Sequence, residues 1–235
     1  MSSTTVVIGA GPGLGMSVAH RFGREGHKIV LLSRNRTRHP AYLAALEAEG
    51  IEATARAADV RDRDALLAAL DAIGPVDVLY YGPGAADPAA RPASVTSMDV
   101  PTAQEAMSWM YPAIDAVGAV LPGMLERGGG GLLFAGGLSA VVPMPMLGGF
   151  ALSSAALRNY ALTLNAALAE KGIYAGTLTI GGLIERGDIH RMVTTQLDDL
   201  DGLTVGTLDP DAIADAAWDL YAKRDGPEAV FNALG

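Results

Sequence analysis

Four glycines within seven residues, Gly9, Gly11, Gly13 and Gly15, are the densest chemical signal in this chain. They follow the β-branched run Thr5 to Ile8 and precede a helical stretch that begins near Leu14. A glycine turn between a strand and a helix lets backbone N–H groups approach a pyrophosphate at the helix start. The spacing G-x-x-x-G-x-G fits Gly9, Gly13 and Gly15, whereas G-x-G-x-x-G would place its third glycine on Leu14. A plain connector can also be glycine-rich, but the strand–turn–helix context favours dinucleotide binding. Gly9, Gly11, Gly13, Leu14 and Gly15 are therefore candidate cofactor contacts.

The second strand ends in Leu31-Leu32-Ser33-Arg34-Asn35, where an NAD site would carry an acid for the ribose 2′-hydroxyl. Arg34 instead offers a guanidinium that matches phosphate geometry, and Ser33 and Asn35 can donate beside it. This predicts NADP(H) as the cofactor. The alternative is a solvated basic loop, since Arg36 and Arg38 lie close by.

The elements that must hold these residues alternate along the whole chain. Strand-like runs at Thr5–Ile8, Lys28–Leu32, Ile51–Ala57, Val76–Tyr81, Gly131–Ala135, Ile173–Ile180 and Ala229–Phe231 are separated by helical stretches. Those helices run over Leu14–Glu25, Ala41–Glu49, Asp62–Ile73, Thr102–Arg127 (Pro112 and Pro122 as kinks or ends), Phe150–Lys171 and from Asp209-Pro210 to Lys223. Such alternation predicts a Rossmann-type α/β fold, a doubly wound parallel sheet of about seven strands with helices on both faces. We read residues 1–235 as a single dinucleotide-binding domain. Two irregular stretches, 82–100 and 181–208, follow strands four and six and are expected to act as lids.

Composition narrows the function classes. With 17 Lys and Arg against 26 Asp and Glu, the net charge is −9, spread along the chain without a basic stripe. Nucleic acid and anionic membrane surfaces are poor partners for such a chain. There is no cysteine, so thiolate chemistry and disulfides are excluded. No run reaches the roughly 18 apolar residues of a membrane span, and a cytoplasmic protein is expected. No His, Asp and Glu cluster has metal-ligand spacing, so no metal is expected.

These elements in this order resemble the short-chain dehydrogenase/reductase family over nearly the whole chain. Asp59-Val60 matches its adenine-contacting pair, Gly82-Pro83-Gly84 stands at its Asn-Ala-Gly, and Gly181-Gly182 at its Pro-Gly. The resemblance adds Asp59, Val60, Gly82, Pro83, Gly182 and Ile184 to the cofactor contacts. The family's Tyr-x-x-x-Lys pair, however, falls on Phe150 and Ser154, its Ser on Gly137 and its helix Asn near Trp109. Phe has no exchangeable proton and Ser carries no cation, so the family's usual proton transfer cannot be carried over.

Substitutes are therefore sought near the expected nicotinamide. Tyr80 and Tyr81 end the fourth strand, Tyr111 lies near the lost Asn, and Ser139 and Ser153 flank other lost positions. Arg158, four residues past Ser154, is a candidate cation, with an ordinary helix-interface role as the alternative. His190 and Glu185 in the second lid are further candidates, whereas His20, His27 and His39 read as structural. Trp109, Gly137, Met144, Phe150 and Ser154 would line the substrate pocket, whose Met144, Met146 and Leu147 favour a hydrophobic compound.

The resemblance further implies a homodimer or homotetramer through the 150–170 helix, whose Ala155, Ala156, Ala161 and Ala166 permit close approach. The helix with Met107, Trp109 and Met110 would be a second contact or a pocket wall. The function that follows is a divergent NADP(H)-dependent oxidoreductase. A silent NADP(H)-binding sensor or partner subunit, or a non-redox enzyme in the same pocket, are the alternatives.

Overall fold

The computed structural model describes residues 2–83, 93–196 and 205–234. Its centre is a seven-stranded, wholly parallel sheet in the order β3-β2-β1-β4-β5-β6-β9. The strands are β1 (Thr4–Ile8), β2 (Lys28–Ser33), β3 (Ala53–Ala57), β4 (Val78–Tyr81), β5 (Gly130–Gly137), β6 (Ile173–Gly181) and β9 (Glu228–Asn232). Strand order reverses between β1 and β4, the point at which open α/β sheets bind ligands.

Helices cover both faces, as the alternation predicts. On one face α1 (Leu14–Arg24), α2 (His39–Glu47) and α8 (Pro210–Lys223) pack over a core that includes Phe22, Leu31, Leu46, Tyr80 and Ile213. On the other, α3 (Arg63–Asp71), α5 (Tyr111–Arg127) and α6 (Gly148–Leu168) cover Ile8, Leu66, Tyr81, Val117, Phe134 and Leu157. The central strands are apolar on both sides because both faces are covered. Asp62 and Asp209 cap α3 and α8 by accepting from the Ala65 and Asp211 N–H groups.

The stretch Thr102–Arg127 is two helices, α4 (Val100–Met107) and α5, and the break falls at Pro112 as the sequence reading allows, because a proline in the first turn of α5 cannot continue an incoming helix. Other expectations are corrected. Pro122 causes no break: it lies inside α5 on the exposed side, where the Gly118 carbonyl it leaves unpaired also faces outward. The described residues of the 181–208 stretch are not irregular. They contain the short parallel pair β7 (Leu183–Ile184) and β8 (Thr207–Leu208), and the helix α7 (Asp188–Gln196). Of the stretch 82–100 that the sequence reads as a lid, residues 84–92, Gly84 among them, lie outside the described residues, and a 3₁₀ turn at Val95–Ser97 leads into α4. Among the described residues no helix is long and apolar enough to cross a membrane.

Candidate functional site

The glycine turn leaves β1 at the switch point. Gly9 has φ +90°, and a Cβ there would sit 2.6 Å from the Gly82 carbonyl carbon and from the Pro83 nitrogen, so the two diverging chains touch. At Gly15 a Cβ would lie 2.5 Å from the Gly9 carbonyl oxygen, so only glycine lets the helix start under the turn. A Cβ at Gly11 would meet nothing nearer than 3.8 Å, and this residue opens on the cleft.

That cleft, of about 370 Å³, is lined by the turn (Gly9, Ala10, Gly11) and by the end of β2 with its loop (Leu32, Ser33, Arg34, Asn35). Ala58, Val60, Pro83 and Trp109 form the rest of its inner wall, and Thr37, Arg38, Tyr42 and Asp188 close its outer side. A volume in this range suits a nucleotide-sized ligand. The fold thus brings Gly9, Gly11, Ser33, Arg34, Asn35, Val60 and Pro83 together from the four loops that follow β1, β2, β3 and β4.

Other sequence candidates stand off this wall and shape it instead. Leu14 is buried in the core. A Cβ at Gly13 would lie 3.1 Å from Gly187 Cα and 3.2 Å from the Glu185 oxygen, so this glycine lets the turn after β7 pack on α1. Arg186 fastens the same turn, donating to Ser17 Oγ at 3.2 Å and pairing with Asp211 at 2.8 Å. Asp59 Oδ1 accepts the Arg61 N–H, which fixes the loop that presents Val60. Gly82 packs against the Tyr80 ring, and Gly182 (φ +155°) and Ile184 lie against β8. Ser33 Oγ is turned toward α2, where it donates to the Asn35 carbonyl and shares a 2.7 Å bond with His39 Nε2. Asn35 Oδ1 accepts the Thr37 N–H. Arg38, Tyr42 and Asp188 were not anticipated as site residues, because no local spacing links α7 to the loop after β2.

The proton-transfer candidates are sorted just as clearly. Tyr80 and Tyr81 are fully buried, and burial raises both phenols above their ordinary range. Tyr81 Oη donates to the Trp109 carbonyl at 2.6 Å, which ties β4 to the α4–α5 junction and takes Tyr81 away from the cleft. Tyr111 is 52% exposed at the start of α5. Trp109 lies under the Arg61 guanidinium, which is 4.8 Å from its ring centroid, and lines the cleft. Arg158 is bound to Glu228 through two hydrogen bonds. Ser153 Oγ donates back to the Gly149 and Phe150 carbonyls. His190 is half-buried on α7, and the neighbouring Glu185 accepts from Thr207 Oγ1. The remaining histidines sit within the scaffold: His27 Nδ1 shares a hydrogen bond with Thr5 Oγ1, and His20 Nδ1 lies 3.0 Å from Glu49 Oε1.

Around Gly137, at the end of β5, two hydroxyls converge. A Cβ there would lie 3.1 Å from Ser154 Oγ and 3.3 Å from Ser139 Oγ, and Ser154 Oγ accepts the Gly137 N–H at 3.3 Å. Phe150 lies one turn earlier on α6, half-buried, and Met144 is half-buried in the connection between β5 and α6.

A doubly wound sheet with a glycine turn and a cleft at its switch point is the architecture of dinucleotide-binding oxidoreductases. The chain belongs to the short chain dehydrogenase family, whose model matches residues 3–187. The dehydrogenase/reductase SDR family member 4 of Bos taurus is 29% identical over 189 residues, 77% of this chain and 65% of that protein. The first curated relatives are longer than this chain, which spans 59% and 65% of their length. A metagenomic short-chain oxidoreductase solved in complex with NADP matches with TM-score 0.78 at 20% identity, covering 99% of this chain and 98% of that one. An apo short chain oxidoreductase from Pseudomonas aeruginosa PAO1, described as containing an atypical catalytic center, matches with TM-score 0.83 at 19% identity. It covers 98% of this chain and 96% of its own.

Proposed function

We propose that this chain is an NADP(H)-dependent oxidoreductase that acts on a hydrophobic small molecule without the Tyr–Lys proton relay. The observation that carries the reading is the meeting of Gly9, Gly11, Arg34 and Val60 in one cleft at the sheet's switch point. The glycine cradle leaves room for a backbone-bound pyrophosphate, and Arg34 supplies a cation where a 2′-phosphate would need one. When bound, the reduced nicotinamide supplies a hydride. The chain's own part is then to bind, orient and polarise.

Ser139 and Ser154 are the groups placed to polarise a substrate oxygen near Gly137. Ser154 Oγ uses a lone pair on the Gly137 N–H, so its own proton can point outward. A neutral hydroxyl is a weak acid, so two such donors suit a substrate that develops little oxyanion charge, such as an imine or an activated alkene. Phe150 adds apolar surface beside them.

A second reading, cofactor binding without turnover, is favoured by Phe150 and Ser154, which supply neither proton nor cation. Of the alanines read from the sequence as contact residues, Ala161 is buried in this chain's own core and Ala156 packs against it, so the face left to pair with a second copy carries Leu152, Ala155, Asn159, Thr163 and Ala166. We include a homodimer or homotetramer through this helix in the proposal.

The test is a fluorescence titration with NADPH and NADH on the wild type and Arg34→Ala. NADPH preference in the wild type, with about tenfold or greater loss in the variant, is the expected result. No binding of either cofactor would sink both readings. Binding with no turnover of imines, enones or hydrophobic ketones would leave the second.

A further inference from the structure

The outer wall of the cleft is built by two residues 150 positions apart. Arg38, on the loop after β2, forks onto Asp188, the first residue of α7. Nη1 lies 2.6 Å from Oδ2, and Nη2 lies 2.9 Å from Oδ1. Both residues line the cleft beside Arg34. Tyr42 Oη is buried next to the same guanidinium, yet makes no hydrogen bond of good geometry. The cleft therefore holds a cation and an unsatisfied hydroxyl side by side, with a carboxylate occupying the cation.

The two partners depend on one another unequally. Asp188 also accepts from Arg191 Nη2 at 2.6 Å, and it stands in the first turn of α7, where a carboxylate is favoured. Its charge stays compensated if Arg38 departs. A phosphate dianion at Arg34, by contrast, would be repelled by Asp188 and attracted by Arg38. Guanidinium binds phosphate in a bidentate fashion, and a half-exposed carboxylate pair is a weak competitor.

We propose that Arg38 is a second residue selecting the 2′-phosphate of NADP(H), masked by Asp188 and handed over to the phosphate when the α7 contact opens. The inference rests on the reading of the cleft as an NADP(H) site. It also makes Asp188 a brake on NADP(H) affinity, although it belongs to the segment after β6 and not to the loop after β2.

The experiment measures Kd for NADPH and for NADH on the whole chain, as wild type, Asp188→Asn, Arg38→Ala and the double variant. Asp188→Asn is expected to bind NADPH about three- to fivefold more tightly with NADH unchanged. Arg38→Ala is expected to lose about tenfold for NADPH alone. The double variant should bind no better than Arg38→Ala, because the gain needs the guanidinium. Unchanged or weaker NADPH binding by Asp188→Asn would overturn the proposal. So would equal losses for both cofactors in Arg38→Ala, or a gain that survives in the double variant. A wild type that prefers NADPH while Asp188→Asn stays flat removes this inference alone. A wild type that binds neither removes the cofactor reading and this inference with it.

Discussion

Arg158 of α6 and Glu228 of β9 form a two-pronged ion pair, with Nε 2.7 Å from Oε1 and Nη2 2.5 Å from Oε2. Thr179 Oγ1 donates to the same carboxylate at 2.6 Å. The pair fastens the longest helix to the last strand of the sheet. It also engages the α6 cation that the sequence offered as a partner for a proton donor near Gly137.

Glu228 is only 16% exposed, and Arg158 first, then Thr179, holds its carboxyl below the usual range against the effect of burial. A carboxylate favoured by the folded state stabilises it above the unfolded pKa, near 4.5, and that contribution is lost as pH falls through the lower folded value. Glu228→Gln should therefore cost about 1–3 kcal/mol at neutral pH. The gap to the wild type should narrow below pH 4.5. Urea unfolding of both proteins across that range is the measurement, and a gap that widened in acid would contradict the assignment.

The turn that begins the cleft should tolerate no side chain at Gly15. An added Cβ meets the Gly9 carbonyl at 2.5 Å, and that carbonyl is backbone, unable to swing aside. Gly15→Ala should lose about 1–3 kcal/mol and weaken NADPH binding with it. Gly26, beyond the far end of α1, offers the control: its φ is positive, at +86°, unlike that of Gly15, but an added Cβ meets nothing within 4 Å. Gly26→Ala should carry only the backbone strain, about 1 kcal/mol, and leave cofactor affinity alone. Equal loss of cofactor affinity in both variants would mean that the contact at Gly15 is not what shapes the site.

Building a Tyr–Lys pair at Phe150 and Ser154, where the family resemblance aligns it, tests the register near Gly137. Phe150→Tyr with Ser154→Lys should create carbonyl reductase activity, since both positions lie one turn apart on α6 beside the end of β5. General acid–base groups of this kind contribute about 10²–10⁴-fold, so even a partial gain is measurable in an NADPH-oxidation assay with a hydrophobic ketone. A folded, NADPH-binding double variant with no gain would place the substrate oxygen elsewhere than we propose.

The order of strands and helices and the glycine turn were legible in the chain. Apolar periodicity switches between strand and helix along the sequence, and only glycine fits the contacts made at Gly9 and Gly15. Capping by Asp209 and Pro210 was legible for the same reason, as both act within one turn. The β7 and β8 strands are two residues each, too short to show alternation, and α7 was hidden between them.

What the sequence by itself determined, then, is everything that rests on neighbours along the chain: the alternating elements, the glycine turn between β1 and α1, and Arg34 just past β2. Only the tertiary structure decided which side chains meet. Tyr81 is drawn to the Trp109 carbonyl, Arg158 to Glu228 and Arg38 to Asp188, while Ser139 and Ser154 converge on Gly137. Arg158 and Glu228, like Arg38 and Asp188, lie on different connections of the sheet, and the other partners meet only because one connection folds back on itself. Their distance depends on strand order and register, set by packing on both faces and not by any local spacing.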